Sequence, residues 1–326
     1  MPALAALPMA KKLRVEGLIA TFVVPAPRGC NLNCSFCIVR ARREAPAGES
    51  ALQVSDYVRF FDALRRREPT GLLSLQGYEP LLPESWSYSE ALLARAAEFG
   101  IPSALVTNGT HLQERVGDLV RLGLAGVTIS LDSADSALHD LSRGTPGAFA
   151  RTMTGLRAVA ASELRDRTLV ASVLQSRRAH YLDGIPELLA SLGIQEWIVT
   201  PLLRIGREFT GGPVQHYAEI VRELIRLNRL AKSHGVVMLV DDEFEKLVFE
   251  DSNVVPIEPP RFRRLPRLSR VVRLSPDGSC SVGEEILRRV GAAIPHWDPL
   301  EEPDTFIRRA LPATGAPSAP RRNAQP

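Results

Sequence analysis

Short apolar runs bounded by turn residues recur along the chain, each followed by a longer stretch with helical spacing. Leu18–Val24 (LIATFVV) reads as a strand, and Ser55–Arg67 as a helix with Tyr57, Phe60, Phe61 and Leu64 on one face. Gly71–Gln76, Ser103–Thr107, Gly126–Leu131, Thr168–Leu174 and Glu196–Leu202 read as further strands. Between them the spacing predicts helices over Ser89–Phe99, closed by Gly100, and over Leu112–Leu122, Ala148–Ala161 and Ile185–Leu192. Units of this kind, about 30 residues apart, argue for a parallel sheet with helices outside. There are six of them, too few for a closed eight-stranded barrel. The expected fold is α/β: an open, partial (β/α)6 barrel of TIM type over residues 18–210, with its chemistry in the loops that follow the strands.

After Gly211-Gly212-Pro213 the pattern changes. A helix is expected over Val214–Ser233 and a strand over Val236–Val240, followed by a loop rich in proline and arginine. Arg270–Leu274, the turn Ser275-Pro276-Asp277-Gly278 and Ser279–Val282 read as a hairpin. These make residues 211–312 a small α+β C-terminal extension. Residues 1–17 form a lead-in, and residues 313–326 a low-complexity, disordered tail.

Composition narrows the function classes. With 45% hydrophobic and 24% charged residues among 326, the chain has enough apolar content for a large buried core. The net charge of +3 implies no strong field for nucleic acid or anionic lipid, and no RNA-binding module is visible. No apolar stretch approaches the roughly 20 residues that span a bilayer. The opening MPALAALPMAKK places its basic pair after the short apolar run, the reverse of a secretory signal. A cytoplasmic location is expected.

Four cysteines change the picture most. Cys30, Cys34 and Cys37 fall on one short segment directly after the first predicted strand, and Cys280 is far away. Such crowding is a poor disulfide framework and points to metal or cluster ligation in a reducing compartment. Three thiolates on one loop can hold three irons of a cubane cluster and leave the fourth open. A zinc site completed by a fourth ligand, or three free thiols, are the alternatives on spacing alone.

The C-x3-C-x2-C run with Phe36 before the last cysteine resembles the radical S-adenosylmethionine (SAM) superfamily. Further elements agree in order: Gly77-Tyr78-Glu79-Pro80 resembles the family's GGEP element, with Tyr78 in place of its second glycine. Thr107-Asn108-Gly109 ends the third strand, and Ser130-Leu131-Asp132 the fourth. His139-Asp140-Leu141-Ser142-Arg143-Gly144 is similar to an H-D-x-x-R-G run, and Ile205-Gly206-Arg207 follows the sixth strand. The likeness covers about Ile19 to Glu208. It implies a [4Fe-4S] cluster on Cys30, Cys34 and Cys37, with SAM chelating the open iron. Reductive cleavage would give a 5′-deoxyadenosyl radical that takes hydrogen from a second substrate, with flavodoxin or ferredoxin as electron donor. The same resemblance assigns Glu79 and the Gly77–Tyr78 backbone to the SAM ammonium and Ser130, with Thr107 nearby, to ribose or carboxylate. It assigns Arg143 to the SAM carboxylate and Phe36 to the adenine. His139 is expected to orient its loop, and Asp132 to structure its turn.

Leu274 to Cys280 is similar to the start of a SPASM or twitch extension, which elsewhere carries auxiliary clusters. One thiol cannot hold a cluster, so the extension is read as degenerate and Cys280 as a core thiol. The six arginines between Arg261 and Arg273 read either as a solvated loop or as a patch for an acidic substrate. The expected second substrate is a peptide or another biosynthetic intermediate. The short segment before Leu18 leaves no room for a leader-binding domain, so a small metabolite is a close rival. A non-catalytic interaction module that binds metal through three cysteines is the alternative from another class.

Overall fold

In the computed structural model, residues 17–37, 52–202, 217–240, 263–264, 271–282 and 295–310 are described. The Ile205-Gly206-Arg207 run, most of the Arg261–Arg273 stretch and the expected tail lie outside them.

The expected strands form one parallel sheet. β1 (Leu18–Val24), β2 (Thr70–Gly77), β3 (Ser103–Thr107), β4 (Gly126–Ser130), β5 (Thr168–Leu174) and β6 (Glu196–Pro201) pair in sequence order, each parallel to the next. The connecting helices are α1 (Val54–Arg67), α2 (Trp86–Glu98), α3 (Leu112–Arg121), α4 (Ser136–Arg143), α5 (Ala148–Ala160) and α6 (Ile185–Ser191). Helix α4 is a difference from the sequence reading, which treated its residues as part of a loop. Asp135 caps it, accepting a hydrogen bond from the Leu138 amide at 2.9 Å, and Gly144 ends it in the left-handed conformation.

The sheet does not stop at six strands. Helix α7 (Tyr217–Ser233) leads to β7 (Val237–Val240), which pairs parallel with β6, and Arg263–Arg264 adds a two-residue β8. A helix followed by VMLV is one more βα repeat, although the Gly-Gly-Pro punctuation before it suggests a break. At the other edge, β9 (Val271–Leu274) lies parallel to β1, and β10 (Cys280–Val282) returns antiparallel as the expected hairpin. The order is β10-β9-β1-β2-β3-β4-β5-β6-β7-β8, an open sheet.

Alternation along β1 places Leu18, Ala20, Phe22 and Val24 in the main core under the helices. Phe22 meets Tyr57, Phe60 and Phe61 edge-on, with ring centroids 5.8, 6.1 and 6.0 Å away. Burying such a ring contributes about 1.5–3 kcal/mol relative to leaving it exposed. Phe60 also packs on Trp297 and on Phe306 of α8 (Pro303–Ala310), so the last described helix closes over α1. Cys280 is buried in this core, and burial pushes its thiol up to about 12. Among the described residues no helix is long and apolar enough to cross a membrane.

Candidate functional site

Every residue singled out as a site residue lines one cleft of about 330 Å³ at the C-terminal ends of the strands. Cys30, Cys34, Phe36 and Cys37 come from the loop after β1, and Gly77, Tyr78 and Glu79 from the end of β2. Thr107 and Ser130 end β3 and β4, and Arg143 ends α4. Val173, Thr200, Pro201 and Leu202 complete the far wall from β5 and β6.

The cysteine loop is seated by backbone contacts. The Asn33 amide donates to the Arg143 carbonyl at 3.0 Å. Gly144 follows with φ +64, and a Cβ there would lie 2.3 Å from the Asn33 carbonyl oxygen. Only glycine permits that approach. On its other side the loop meets a small cluster in which Tyr78, Ala26 and Leu82 pack against Cys30 and Cys37. The tyrosine that replaces a glycine in the resemblance is therefore a wall of the cysteine loop.

Glu79 is fully buried and joins the end of β2 to that of β3. Its Oε1 accepts from the Thr107 hydroxyl at 2.6 Å and the Leu81 amide at 3.1 Å, and its Oε2 from the Asn108 amide at 2.7 Å. Burial raises its pKa against the pull of those three donors. The Thr107 hydroxyl, which donates its hydrogen bond to Glu79, accepts from the Gly109 amide at 2.9 Å. Asp132 does for β4 what Glu79 does for β2. Its carboxylate accepts from the Val173 amide at 3.0 Å and the Ser142 hydroxyl at 2.8 Å. Arg143 Nε stands 2.9 Å from Asp132 Oδ2 in a buried ion pair whose angle falls short of a hydrogen bond. The same guanidinium lies 5.5 Å from the Phe36 ring centre and brings Nη1 to 4.0 Å from Cys34 Sγ. His139 accepts from the Asp132 amide at 3.2 Å, so it orients the turn from inside a helix.

Asn108 is the residue that motif reading noticed without placing in the site. It lines the cleft, and its Nδ2 stands 3.7 Å from Cys30 Sγ. An amide at the end of a strand looks like an ordinary turn residue. Its position directly after a hydroxyl-ended strand was the one available signal.

The thiols fit a metal cluster. Burial pushes Cys30 up to about 12, helped by Glu79 and the other two cysteines and opposed by the Leu32 amide. Cys34 is likewise raised by burial, against the pull of Arg143. Crowded, half-buried thiols of this kind become thiolates when a cation takes them. Three thiols on one loop, lining one cleft, suit a group that takes each sulfur on a different iron.

Comparison with known proteins agrees with this geometry. Residues 24–175 match the profile of the Radical SAM superfamily. The AdoMet-dependent heme synthase of Methanosarcina barkeri is 29% identical over 181 residues, 55% of this chain and 49% of that protein. GTP 3′,8-cyclase of Rhodococcus opacus is 30% identical over 162 residues, 49% of this chain and 44% of that protein. The chain thus spans about half the length of the curated relatives it matches. The crystal structure of Streptococcus suis SuiB bound to S-adenosylmethionine is similar with a TM-score of 0.63 at 13% identity, over 85% of this chain and 62% of that one. Native anSMEcpe with bound AdoMet has a TM-score of 0.62 at 14% identity, over 90% of this chain and 81% of that one. At such identities the likeness is one of fold. Residues 24–175, which carry the three cysteines of the first loop and most of the cleft at the strand ends, are thus similar to the Radical SAM superfamily, whose profile they match.

Proposed function

We propose that this chain binds a [4Fe-4S] cluster on Cys30, Cys34 and Cys37 and uses SAM to abstract hydrogen from a peptide or another biosynthetic intermediate. The observation that carries the reading is that the three thiols share one cleft with the ends of β2, β3 and β4. When bound, cluster and SAM supply reductive cleavage of the sulfonium bond to methionine and a 5′-deoxyadenosyl radical.

The chain's own residues bind, orient and exclude water. Carbonyls of Gly77 and Tyr78 suit an ammonium group. Glu79 adds negative charge behind them, and its Oε2, with one protein donor, has room for another. Thr107 directs its O–H to Glu79, so it shapes the turn, while Ser130 brings a hydroxyl to the cleft. Arg143 offers the remaining edge of its fork to a carboxylate, with Asp132 fixing its orientation. Phe36 provides an aromatic face for adenine. A flavodoxin or ferredoxin would deliver the electron, in a reducing, oxygen-poor cytoplasm.

A small-metabolite substrate is the second reading. It is favoured by the names of the sequence relatives, a heme synthase and a GTP cyclase, whereas the fold neighbour SuiB has been crystallised with its precursor peptide SuiA.

Anaerobic reconstitution with iron and sulfide tests the core of the proposal. A brown protein that forms 5′-deoxyadenosine from SAM under dithionite is expected. Cys30→Ala, Cys34→Ala and Cys37→Ala should each lose both properties. A colourless protein holding one zinc would overturn the reading in favour of a non-catalytic module that binds metal through its three cysteines.

A further inference from the structure

Asn108 is held on every side. Its backbone amide donates to Glu79 Oε2 at 2.7 Å, and its carbonyl accepts from the Thr152 hydroxyl at 2.9 Å. Its side-chain oxygen accepts from both the amide and the hydroxyl of Thr110, at 3.0 and 2.7 Å. With the oxygen so occupied, the NH2 must point the other way. There it donates to Asn31 Oδ1 at 2.9 Å and faces Cys30 Sγ at 3.7 Å. Asn31 closes the ring by donating to the Thr110 hydroxyl at 2.8 Å. The amide is therefore aimed at the sulfur before any metal arrives. The Leu32 amide, 3.4 Å away, is a second donor to the same sulfur.

An N–H donor stabilises negative charge on a ligating sulfur, and a reduced cluster carries one more electron than an oxidised one. Donors of this kind favour reduction. We propose that Asn108 is a positioning residue that sets the reduction potential of the cluster through the Cys30 thiolate. The proposal rests on the cluster reading above.

The test is an EPR-monitored redox titration of the reconstituted full chain without SAM. Asn108→Asp keeps the acceptor for Thr110 and removes the donor, and Asn108→Ala removes it without adding charge. Both should move the midpoint to more negative potential. The reduced-to-oxidised ratio at a fixed potential should fall roughly tenfold, ~59 mV for one electron. Thr152→Val loosens the same turn from behind without touching the amide, so it should lower the melting temperature and leave the midpoint in place. An unshifted Asn108→Ala, or a Thr152→Val shift as large as that of Asn108→Asp, overturns the proposal. Should neither Asn108 variant assemble a cluster, the unsubstituted protein decides. With asparagine labelled by 15N in its side chain, pulsed EPR of the reduced cluster should show a nitrogen coupling, and its absence overturns the proposal. If the unsubstituted protein assembles no cluster, the functional reading falls. If it does and cleaves SAM while the midpoint stays unmoved, only the role of Asn108 falls.

Discussion

His139 sits wholly inside the protein, its ring edge-on to Phe149 and its Nδ1 accepting from the Asp132 amide. An accepting Nδ1 puts the single proton on Nε2, and a second proton would break the contact with the turn. Burial, reinforced by the Arg143 charge, lowers its pKa from 6.5 to about 4. The sign of the pH dependence follows. Above pH 6.5 both folded and unfolded chains carry a neutral ring. Between pH 6.5 and 4 the unfolded chain takes up a proton that the folded one refuses. Stability is therefore lost across that window as the pH falls, on the order of 3 kcal/mol in full. His139→Gln, which can still accept from the Asp132 amide, should flatten that part of the profile. Urea unfolding midpoints at several pH values, compared between the two proteins, check it. A histidine near an arginine in the sequence reads as a polar loop residue. Its use as a buried acceptor depends on a turn from β4 that sequence spacing does not show. The cysteines are legible for the opposite reason: three thiols so close together have few uses, wherever they fold.

At the scale of elements, the contact between α4 and the cysteine loop matters most. The sequence places His139 to Gly144 near the site by motif, but eight residues with few apolar positions do not stand out as a helix. Its ends are the better signal, because Asp135 and Gly144 are a start and a stop in the right order. Gly144 serves two purposes at once: it ends the helix at φ +64 and lets the Asn33 carbonyl pass against it. Gly144→Ala combines a left-handed alanine, about 1–3 kcal/mol of strain, with a clash against backbone that has nowhere to go. The expected outcome is a melting temperature lower by several degrees and a reduced iron content after reconstitution, read by calorimetry and iron assay. Gly147→Ala is the comparison, since φ is also positive there but the nearest atom to a Cβ is an arginine side chain. It should lose stability and keep its iron. Glu79, on the other side of the cleft, is a parallel case. Its position after a strand is legible, whereas two of its three donors, Thr107 and Asn108, come from a segment that only the fold brings to it.

For the whole molecule, repetition made the parallel sheet legible, because each strand pairs with the next in sequence. The partners of β1 break that rule. On one side it has β2, and on the other β9, from far along the chain. No local pattern announces a pairing of that separation, so the hairpin was readable and its place at the sheet's edge was not. A chain ending before Val271 would leave β1 with an unpaired edge and would strip Trp297 and Phe306 from Phe60. It should be found in aggregates on expression. A monodisperse, folded truncation by size exclusion would show that β9 is dispensable.

That pairing also sets an order of events. During synthesis at about 5–20 residues per second, the partner of β1 on that side arrives some 10–50 s after β1 itself. Through that interval the loop carrying Cys30, Cys34 and Cys37 follows a strand bonded on one side only. Iron delivered early would meet thiols on an unfinished edge. Iron delivered late would meet the completed cleft. If the chain takes up a cluster as proposed, the strand that finishes the sheet is also a clock for when the cleft is complete.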